Sequence, residues 1–248
     1  MYRLARRPGA VFGPVPWEVA NPVDGTFGNR FDDPGQALGI PQEERFRAIS
    51  CATERIGTIM ESLARFRRSL PYAGRVEAGS RGVREGIDES LRGTFDPGDP
   101  SRGLVPAAWR MRRQIGHTLL DPELRFVDIA AMSTLSHLRE AMAPDLRELG
   151  LTDLDLSVVT GPQRTLTQRI ARYVYEQVDL TGTPRFAGIR YLSRFGDAQE
   201  CWAIFDTRMV MRGTVIEQSI LPDDPDLLAV AKAFGLTIEV LGGPNLRP

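Results

Sequence analysis

Hydrophobic positions recur along the chain with two spacings, one typical of helices and one typical of strands. In residues 53–68, Ile56, Ile59 and Leu63 fall on one face of a helix. In residues 163–177, Leu166 and Ile170 do the same. Helices are therefore predicted over residues 53–68, 133–146, 163–177 and 224–235. We expect a Ser or Thr cap to open the second, because its segment begins "STLSHL".

Short apolar runs bounded by turn residues predict the strands. These lie at residues 46–50, 125–131, 156–160, 215–221 and 237–243, and residues 188–206 read as a two-stranded hairpin. Residues 1–45 are rich in Gly and Pro and predict irregular structure with short strands. Strands and helices interleave without the regular period of a doubly wound sheet, so the fold class predicted is mixed α+β.

The domain organisation follows from the distribution of apolar residues. Residues 71–104 are polar and glycine-rich, with too few apolar side chains to form a core of their own. We therefore expect a single domain over residues 1–248, with an insertion or long loop at about 71–104.

Composition and charge exclude several function classes. The formal net charge is −1, which gives no overall field to attract nucleic acid or anionic lipid. No apolar run reaches membrane-spanning length, and the N-terminus is too polar for a secretory signal. Cys51 and Cys201 lack CxxC spacing and read as free, buried thiols, as suits a reducing compartment. We expect a cytoplasmic protein that binds neither membranes nor nucleic acid.

Standard catalytic motifs are missing from the sequence. There is no P-loop, no HExxH and no GxSxG. His117 and His137 have no partner at ligand spacing, so no metal site is expected.

Arg30 is the first candidate for binding chemistry. It lies in "FGNRFDDP", a turn-rich stretch where an arginine can reach an anion. The alternative is a structural salt bridge to Asp32 or Asp33.

Glu61 is the second candidate, on the helix predicted over residues 53–68. Its neighbours along the helix face are Gly57 and Ala64, whose small side chains would let a ligand approach. The alternative is an exposed i,i+4 pair with Arg65. Glu54 shares the same stripe and is a second choice for the acting carboxylate.

Tyr191 and Ser193 form the third candidate. Strand alternation places both on one face of the predicted hairpin, opposite Arg190, Leu192 and Arg194. The alternative is an ordinary polar sheet face.

Taken together, "NRFDDP", "MESLARFR" and "GIRYLSR" occur in this order, and the chain resembles the RES-domain family, named for its Arg, Glu and Ser. The likeness covers about residues 24–67 and 157–206. It places Arg30, Glu61 and Ser193 at the three named positions. Ser50 stands where the family usually has tyrosine. If that tyrosine contacts the nicotinamide end of the ligand, Ser50 weakens the contact unless Phe46 or Tyr191 takes its place.

The resemblance implies an ADP-ribosyltransferase-like fold and a toxin of a toxin–antitoxin pair, held by an Xre-like antitoxin. It also implies NAD as substrate, cleaved at the nicotinamide–ribose bond by hydrolysis or phosphorolysis, or used to transfer ADP-ribose to a protein. Glu61 and Arg30 would be catalytic, and Arg30, Ser193, Tyr191 and Ser50 would bind the dinucleotide. A non-catalytic NAD-binding module and an interaction protein are the alternatives, and homo-oligomerisation stays open.

Overall fold

The structure is a computed structural model that describes residues 1–67 and 103–248. Its strands are β1 (Tyr2–Arg6), β2 (Ala48–Ala52), β3 (Leu104–Val105), β4 (Arg113–Leu120), β5 (Phe126–Asp128), β6 (Gly188–Ser193), β7 (Gly196–Phe205), β8 (Met211–Ser219) and β9 (Thr237–Ile238). Its helices are α1 (Arg55–Leu63), α2 (Ala107–Met111), α3 (Met132–Ala141), α4 (Ala143–Glu148), α5 (Leu156–Thr160), α6 (Arg164–Glu176) and α7 (Pro225–Phe234).

Within the described ranges, seven strands form one sheet in the order β5-β6-β7-β2-β1-β4-β8, and β3 pairs with β9 separately. The pairing of β5 with β6 is parallel, and the other pairings of the large sheet are antiparallel. This mostly antiparallel sheet with flanking helices confirms the predicted α+β class.

Two groups of helices cover one face of the sheet. The apolar side chains of α6, including Leu166 and Ile170, pack with Ile189 of β6 and Ala203 of β7. Farther along the sheet, α1 and α7 form a second cluster with β4. This division matters for function because β2, the middle strand, lies where the two groups meet.

The opposite face of the sheet is covered by the segment that follows β1. Val11 and Phe12 pack there against Ile49, Cys51 and Ile204. Both cysteines are buried and free, as expected.

Several predicted elements are confirmed with shifted ends. Helix α1 ends at Leu63 and continues as a 3₁₀ turn, Ala64–Phe66. The hairpin is present as β6 and β7, and α6 buries the predicted stripe of Leu166, Ile170 and Val174. The strand expected at 237–243 is limited to Thr237–Ile238.

The strand predicted at residues 156–160 is wrong, because this segment is helix α5. The Asp155 carboxylate accepts a hydrogen bond from the Val158 N–H at 2.9 Å and caps the helix. The cap outweighs the strand preference of the β-branched residues at 158–160.

The helix predicted at residues 133–146 is divided into α3 and α4, because Pro144 starts a new first turn. The expected Ser or Thr cap is also wrong, since Ala131 occupies that position. Strand β4 was not predicted. Its Arg113 and Gln114 are buried polar residues that interrupt the apolar pattern.

The loop predicted at 71–104 falls almost wholly outside the described residues, and its last residue, Leu104, begins β3. No helix in residues 1–67 or 103–248 is long and apolar enough to cross a membrane.

Asp224 joins α1 to α7 and provides a stability test. Its carboxylate caps α7 and also accepts hydrogen bonds from the Arg55 guanidinium. We expect Asp224→Ala to lower the free energy of unfolding by about 2 kcal/mol, from a lost cap and an unpaired, partly buried arginine. Asp226→Ala, which removes a more exposed partner of Arg55, is the matched control and should cost less than half as much. Equal losses in urea titrations would contradict this account.

Candidate functional site

Glu61 and Ser193 meet between α1 and the end of β6. The Ser193 hydroxyl donates a hydrogen bond to Glu61 Oε1 at 2.5 Å and accepts one from the Phe195 N–H at 3.1 Å. Ser193 is buried, whereas Glu61 is partly exposed. A serine with both hydrogen-bonding roles filled holds the carboxylate in one orientation.

Helix α1 supplies Glu61 from the side of the helix next to its buried stripe. Ile59 and Leu63 are fully buried, so the helix cannot rotate without exposing them. Glu54, the alternative carboxylate, is the exposed N-cap of α1, two turns away, and its side chain has no hydrogen bond within the described residues. The geometry therefore favours Glu61 over Glu54.

The two faces of β6 have different polar partners. Tyr191 lies opposite Cys201, and its ring centroid is 5.1 Å from that of Phe31, on the helix-covered face. Arg190 points the other way, where it binds Asp128 at 2.6 Å and Glu200 at 2.5 Å. The predicted alternation is thus confirmed for Arg190 and Tyr191, and the outer face is a salt-bridge network. The register shifts between Leu192 and Ser193, so the position predicted for Arg194, opposite Ser193, does not follow from the alternation.

Burial raises the pKa of the Tyr191 hydroxyl well above its usual value, and the nearby Cys201 and Glu61 act in the same direction. The neutral phenol is therefore the form present at neutral pH. It can donate a hydrogen bond in the site.

Arg30 is anchored to the corner between α5 and α6. Its Nη1 donates to the carbonyl oxygens of Val159 at 2.7 Å and Gly161 at 3.1 Å. The expected salt bridge to Asp32 or Asp33 is not the arrangement found. Arg30 forms no ion pair within the described part of the chain, and its Nε and Nη2 donate to none of those residues.

The guanidinium of Arg30 interacts electrostatically with other residues of the candidate site. Burial lowers the pKa of its guanidinium, and the positive charge of Arg194 lowers it further. The Glu61 carboxylate and the Tyr191 oxygen act in the opposite sense and raise the pKa of Arg30. Arg30, Glu61, Tyr191 and Ser193 are therefore brought into one region, although the first three lie far apart in the chain.

Ser50 is the exposed residue of a strand whose other four residues are buried. It pairs with Ala203 and shares the helix-covered face with Tyr191 and Ser193. Its exposure in the middle strand shows that the two helix groups leave a gap over β2. Its neighbours on this face are small and buried, namely Ala48, Ala52, Cys201 and Ala203.

Two expectations about neighbouring residues are settled by packing. Phe46 is buried, with its ring centroid 4.4 Å from that of Phe205, and so does not replace a tyrosine at position 50 in the gap. The role expected for Gly57 is wrong. It is buried, and a Cβ there would lie 3.0 Å from both Ala52 Cβ and Gln199 Oε1. Its small size serves helix–sheet packing.

Sequence reasoning missed Asp32 and Arg164 as parts of the site. Asp32 is buried and accepts hydrogen bonds from the N–H groups of Phe27 at 2.8 Å and Asn29 at 2.7 Å. Arg164 donates to the Gly28 carbonyl oxygen. Together they fix the loop that carries Arg30. Asp32 is visible in the "FGNRFDDP" stretch of the sequence, but its hydrogen-bond donors are identified only by the structure.

A separate pocket of about 280 Å³ lies between α3 and α6, away from Glu61 and Ser193. His137 and Tyr173 line it and share a hydrogen bond of 2.8 Å. Across the described residues, no group of three or more His, Cys, Asp or Glu side chains is placed to hold a metal ion.

Comparisons of the chain with models of protein families, with curated proteins and with solved structures gave no match.

The Asp32 carboxyl provides a pH test of the loop that carries Arg30. Burial raises its pKa to about 6 in the folded protein, against 3.8 for an ordinary Asp. The folded state therefore binds the proton more tightly than the unfolded state, and stability falls as pH rises through that interval. Relative to Asp32→Asn, the wild type should lose about 3 kcal/mol of unfolding free energy between pH 3.5 and 7.

Urea titrations of both proteins at several pH values would measure this difference. The comparison cancels the contribution of the remaining carboxylates. A difference that does not change with pH would show that Asp32 does not titrate near pH 6.

Proposed function

We propose that this protein cleaves the nicotinamide–ribose bond of NAD, by hydrolysis or phosphorolysis, or transfers the ADP-ribose to a protein. The observation that carries the proposal is the Glu61–Ser193 hydrogen bond beside Arg30, a charge with no ion pair in the part of the chain that the structure describes. The same three residues occupy the Arg, Glu and Ser positions in the resemblance to the RES-domain family. Their proximity supports the resemblance, which was drawn from their order in the sequence alone.

The chemistry requires little proton transfer to the leaving group. Nicotinamide in NAD is cationic, so the C–N bond breaks with its electron pair passing to the ring nitrogen. The ribose carbon is left as an oxocarbenium ion. A carboxylate such as Glu61 stabilises that charge only as it develops, which raises the rate of the chemical step. Water or phosphate then attacks the same carbon, and in hydrolysis the water proton passes to solvent.

Ser193 and Tyr191 have binding roles in this scheme. Ser193 orients Glu61 and, through the remaining lone pair of its hydroxyl, accepts a hydrogen bond from a ribose hydroxyl or from the nicotinamide amide. The Tyr191 ring supplies an aromatic wall, backed by Phe31. The Arg30 Nε and Nη2, which donate to no residue in 1–67 or 103–248, would bind the anionic part of the dinucleotide.

Ser50 favours one alternative, a module that binds NAD without cleaving it. The exposed gap over β2 has a small residue where the family has tyrosine. If that tyrosine held the nicotinamide ring, the chain would keep the dinucleotide site and lose rate. Ser50 is therefore the residue that favours NAD binding without cleavage over NAD cleavage.

Several further expectations belong to this proposal. They are the ADP-ribosyltransferase-like form of the α+β fold, a toxin role, an Xre-like antitoxin as partner and a cytoplasmic location. The mostly antiparallel sheet with helices on its site-bearing face is the feature that supports the first.

Incubation of the purified protein with NAD, with and without phosphate, tests the function. Release of free nicotinamide together with ADP-ribose indicates hydrolysis, and the 1″-phosphate of ADP-ribose indicates phosphorolysis. Loss of NAD with neither product directs attention to protein acceptors. Measurable NAD binding without nicotinamide release would favour the non-catalytic module.

Glu61→Gln is the sharpest substitution, because it keeps the size of the side chain and removes the charge. We expect kcat to fall at least 100-fold, since the carboxylate acts in the transition state. The thermal midpoint should stay close to that of the wild type, because Glu61 lies outside the buried stripe of α1. Glu54→Gln, on the same helix, is the matched control and should retain activity. The reverse result would assign catalysis to Glu54.

Ser193→Ala tests the orientation of the carboxylate. Loss of one hydrogen bond to a charged partner is worth about 1.5–3 kcal/mol, so kcat/KM for NAD should fall about ten- to hundredfold. Ser193→Thr keeps a hydroxyl and should retain more activity than Ser193→Ala. Equal activity of the alanine variant and the wild type would remove Ser193 from the mechanism.

A further inference from the structure

The pocket between α3 and α6 has a composition that suits a small ligand. Its volume is about 280 Å³, and the edge strand β5 contributes to its lining. Pockets that bind small molecules begin at about 300 Å³ and are mostly apolar, with a few polar groups that orient the ligand. This pocket therefore has room for a compound with a single ring.

Apolar side chains from several elements form one part of the lining. Val127 belongs to β5, Leu138 to α3 and Val174 to α6, and the last two are buried. The ring of Phe186, which lies shortly before β6, lines the same pocket and is only partly buried. These side chains would cover the apolar body of a ligand, and the Phe186 ring favours a flat one.

A hydrogen bond joins the two helices beside the pocket. It connects His137 Nε2 of α3 with the Tyr173 hydroxyl of α6 at 2.8 Å, and the two ring centroids are 5.9 Å apart. Because this contact links α3 to α6, both helices present side chains to the same space.

The other polar groups of the lining include several free donors. The hydroxyls of Ser133 and Thr134, in the first turn of α3, have no hydrogen-bond partner within residues 1–67 or 103–248. The Arg185 guanidinium donates to none of those residues either, and its central carbon lies 5.3 Å from the Phe186 ring centroid. A ring packed against Phe186 would therefore place an acidic substituent close to that guanidinium.

The charge of the lining is positive. Among the described residues that line the pocket, Arg185 is the only arginine or lysine, and no aspartate or glutamate is present. Asp179, outside the lining, interacts electrostatically with Arg185. Its carboxylate accepts hydrogen bonds from the Thr181 N–H and hydroxyl and from the Thr183 N–H, and it forms no ion pair with Arg185. These hydrogen bonds are the main reason for the lowered pKa of Asp179, and the charge of Arg185 lowers it further.

We infer that this pocket is a binding site for a monocarboxylate with a single aromatic ring. The ring packs against Phe186, Val127 and Val174. The carboxylate accepts hydrogen bonds from Arg185 and from the hydroxyl of Ser133 or Thr134, so the ligand brings the acceptors and the negative charge that the lining lacks. The inference does not depend on the proposed function, because neither Glu61 nor Ser193 lines the pocket.

Calorimetric titration with benzoate, benzamide and acetate tests the inference. Benzamide keeps the shape of benzoate without its charge, and acetate keeps the carboxylate without the ring. We expect the wild type to bind benzoate at least tenfold more tightly than either of the other two, since only benzoate uses both the apolar wall and the guanidinium.

Arg185→Gln should weaken benzoate binding at least tenfold and leave benzamide binding within twofold, because only the charge-assisted contact is lost. Arg125→Gln is the matched control. It removes the same charge from an exposed residue outside the lining, and its affinity for benzoate should stay within twofold of the wild type. Arg185 is exposed, so its variant should unfold at the temperature of the wild type.

Nuclear magnetic resonance on protein with labelled valine methyl groups locates the bound ring. We expect nuclear Overhauser effects between the benzoate ring protons and the methyl groups of Val127 and Val174. Absence of benzoate binding, equal affinity for benzoate and benzamide, or unchanged benzoate affinity in Arg185→Gln would overturn the inference. Ring contacts only with methyl groups elsewhere in the protein would overturn it as well.

Discussion

The hydrogen bond from Ser193 to Glu61 is the contact on which the site depends. It joins the end of strand β6 to α1 and fixes the Glu61 carboxylate in one orientation. Without it, Glu61 would be a partly exposed side chain free to turn toward solvent. The burial of Ile59 and Leu63 fixes the helix, and the bonds that Ser193 donates to Glu61 and accepts from the Phe195 N–H fix the side chain. A pre-oriented carboxylate is what an oxocarbenium-like transition state requires.

Strand alternation separates two kinds of polar residue within one hairpin. On the outer face, Arg190 is neutralised by Asp128 and Glu200, which is an ordinary structural arrangement. On the helix-covered face, Tyr191 and Ser193 have as neighbours a carboxylate and an arginine without an ion pair in the described residues. The charge balance of the two faces, more than the polarity of either, distinguishes the candidate site from a solvated sheet.

The spacing of hydrophobic residues along the chain predicted those parts of the fold that depend on neighbouring residues. The apolar stripe of Leu166 and Ile170 predicted helix α6, and the two-residue repeat of a strand predicted that Tyr191 and Ser193 share one face of β6. The strand expected at 156–160 failed because a single cap, Asp155, outweighs a short run of β-branched residues. Contacts between distant segments were not predictable. Arg164 donates a hydrogen bond to the Gly28 carbonyl oxygen, and Gly57 packs against Ala52. Both contacts form only when the sheet and helices assemble.

The central claim is that Arg30, Glu61 and Ser193 surround one dinucleotide. A crystal structure with carba-NAD, an analogue that cannot be cleaved, tests it most directly. The account predicts the nicotinamide-side sugar ring analogue within hydrogen-bonding distance of Glu61 and Ser193, with the diphosphate facing Arg30. Binding of the analogue at another surface, such as the pocket beside His137 and Tyr173, would contradict it.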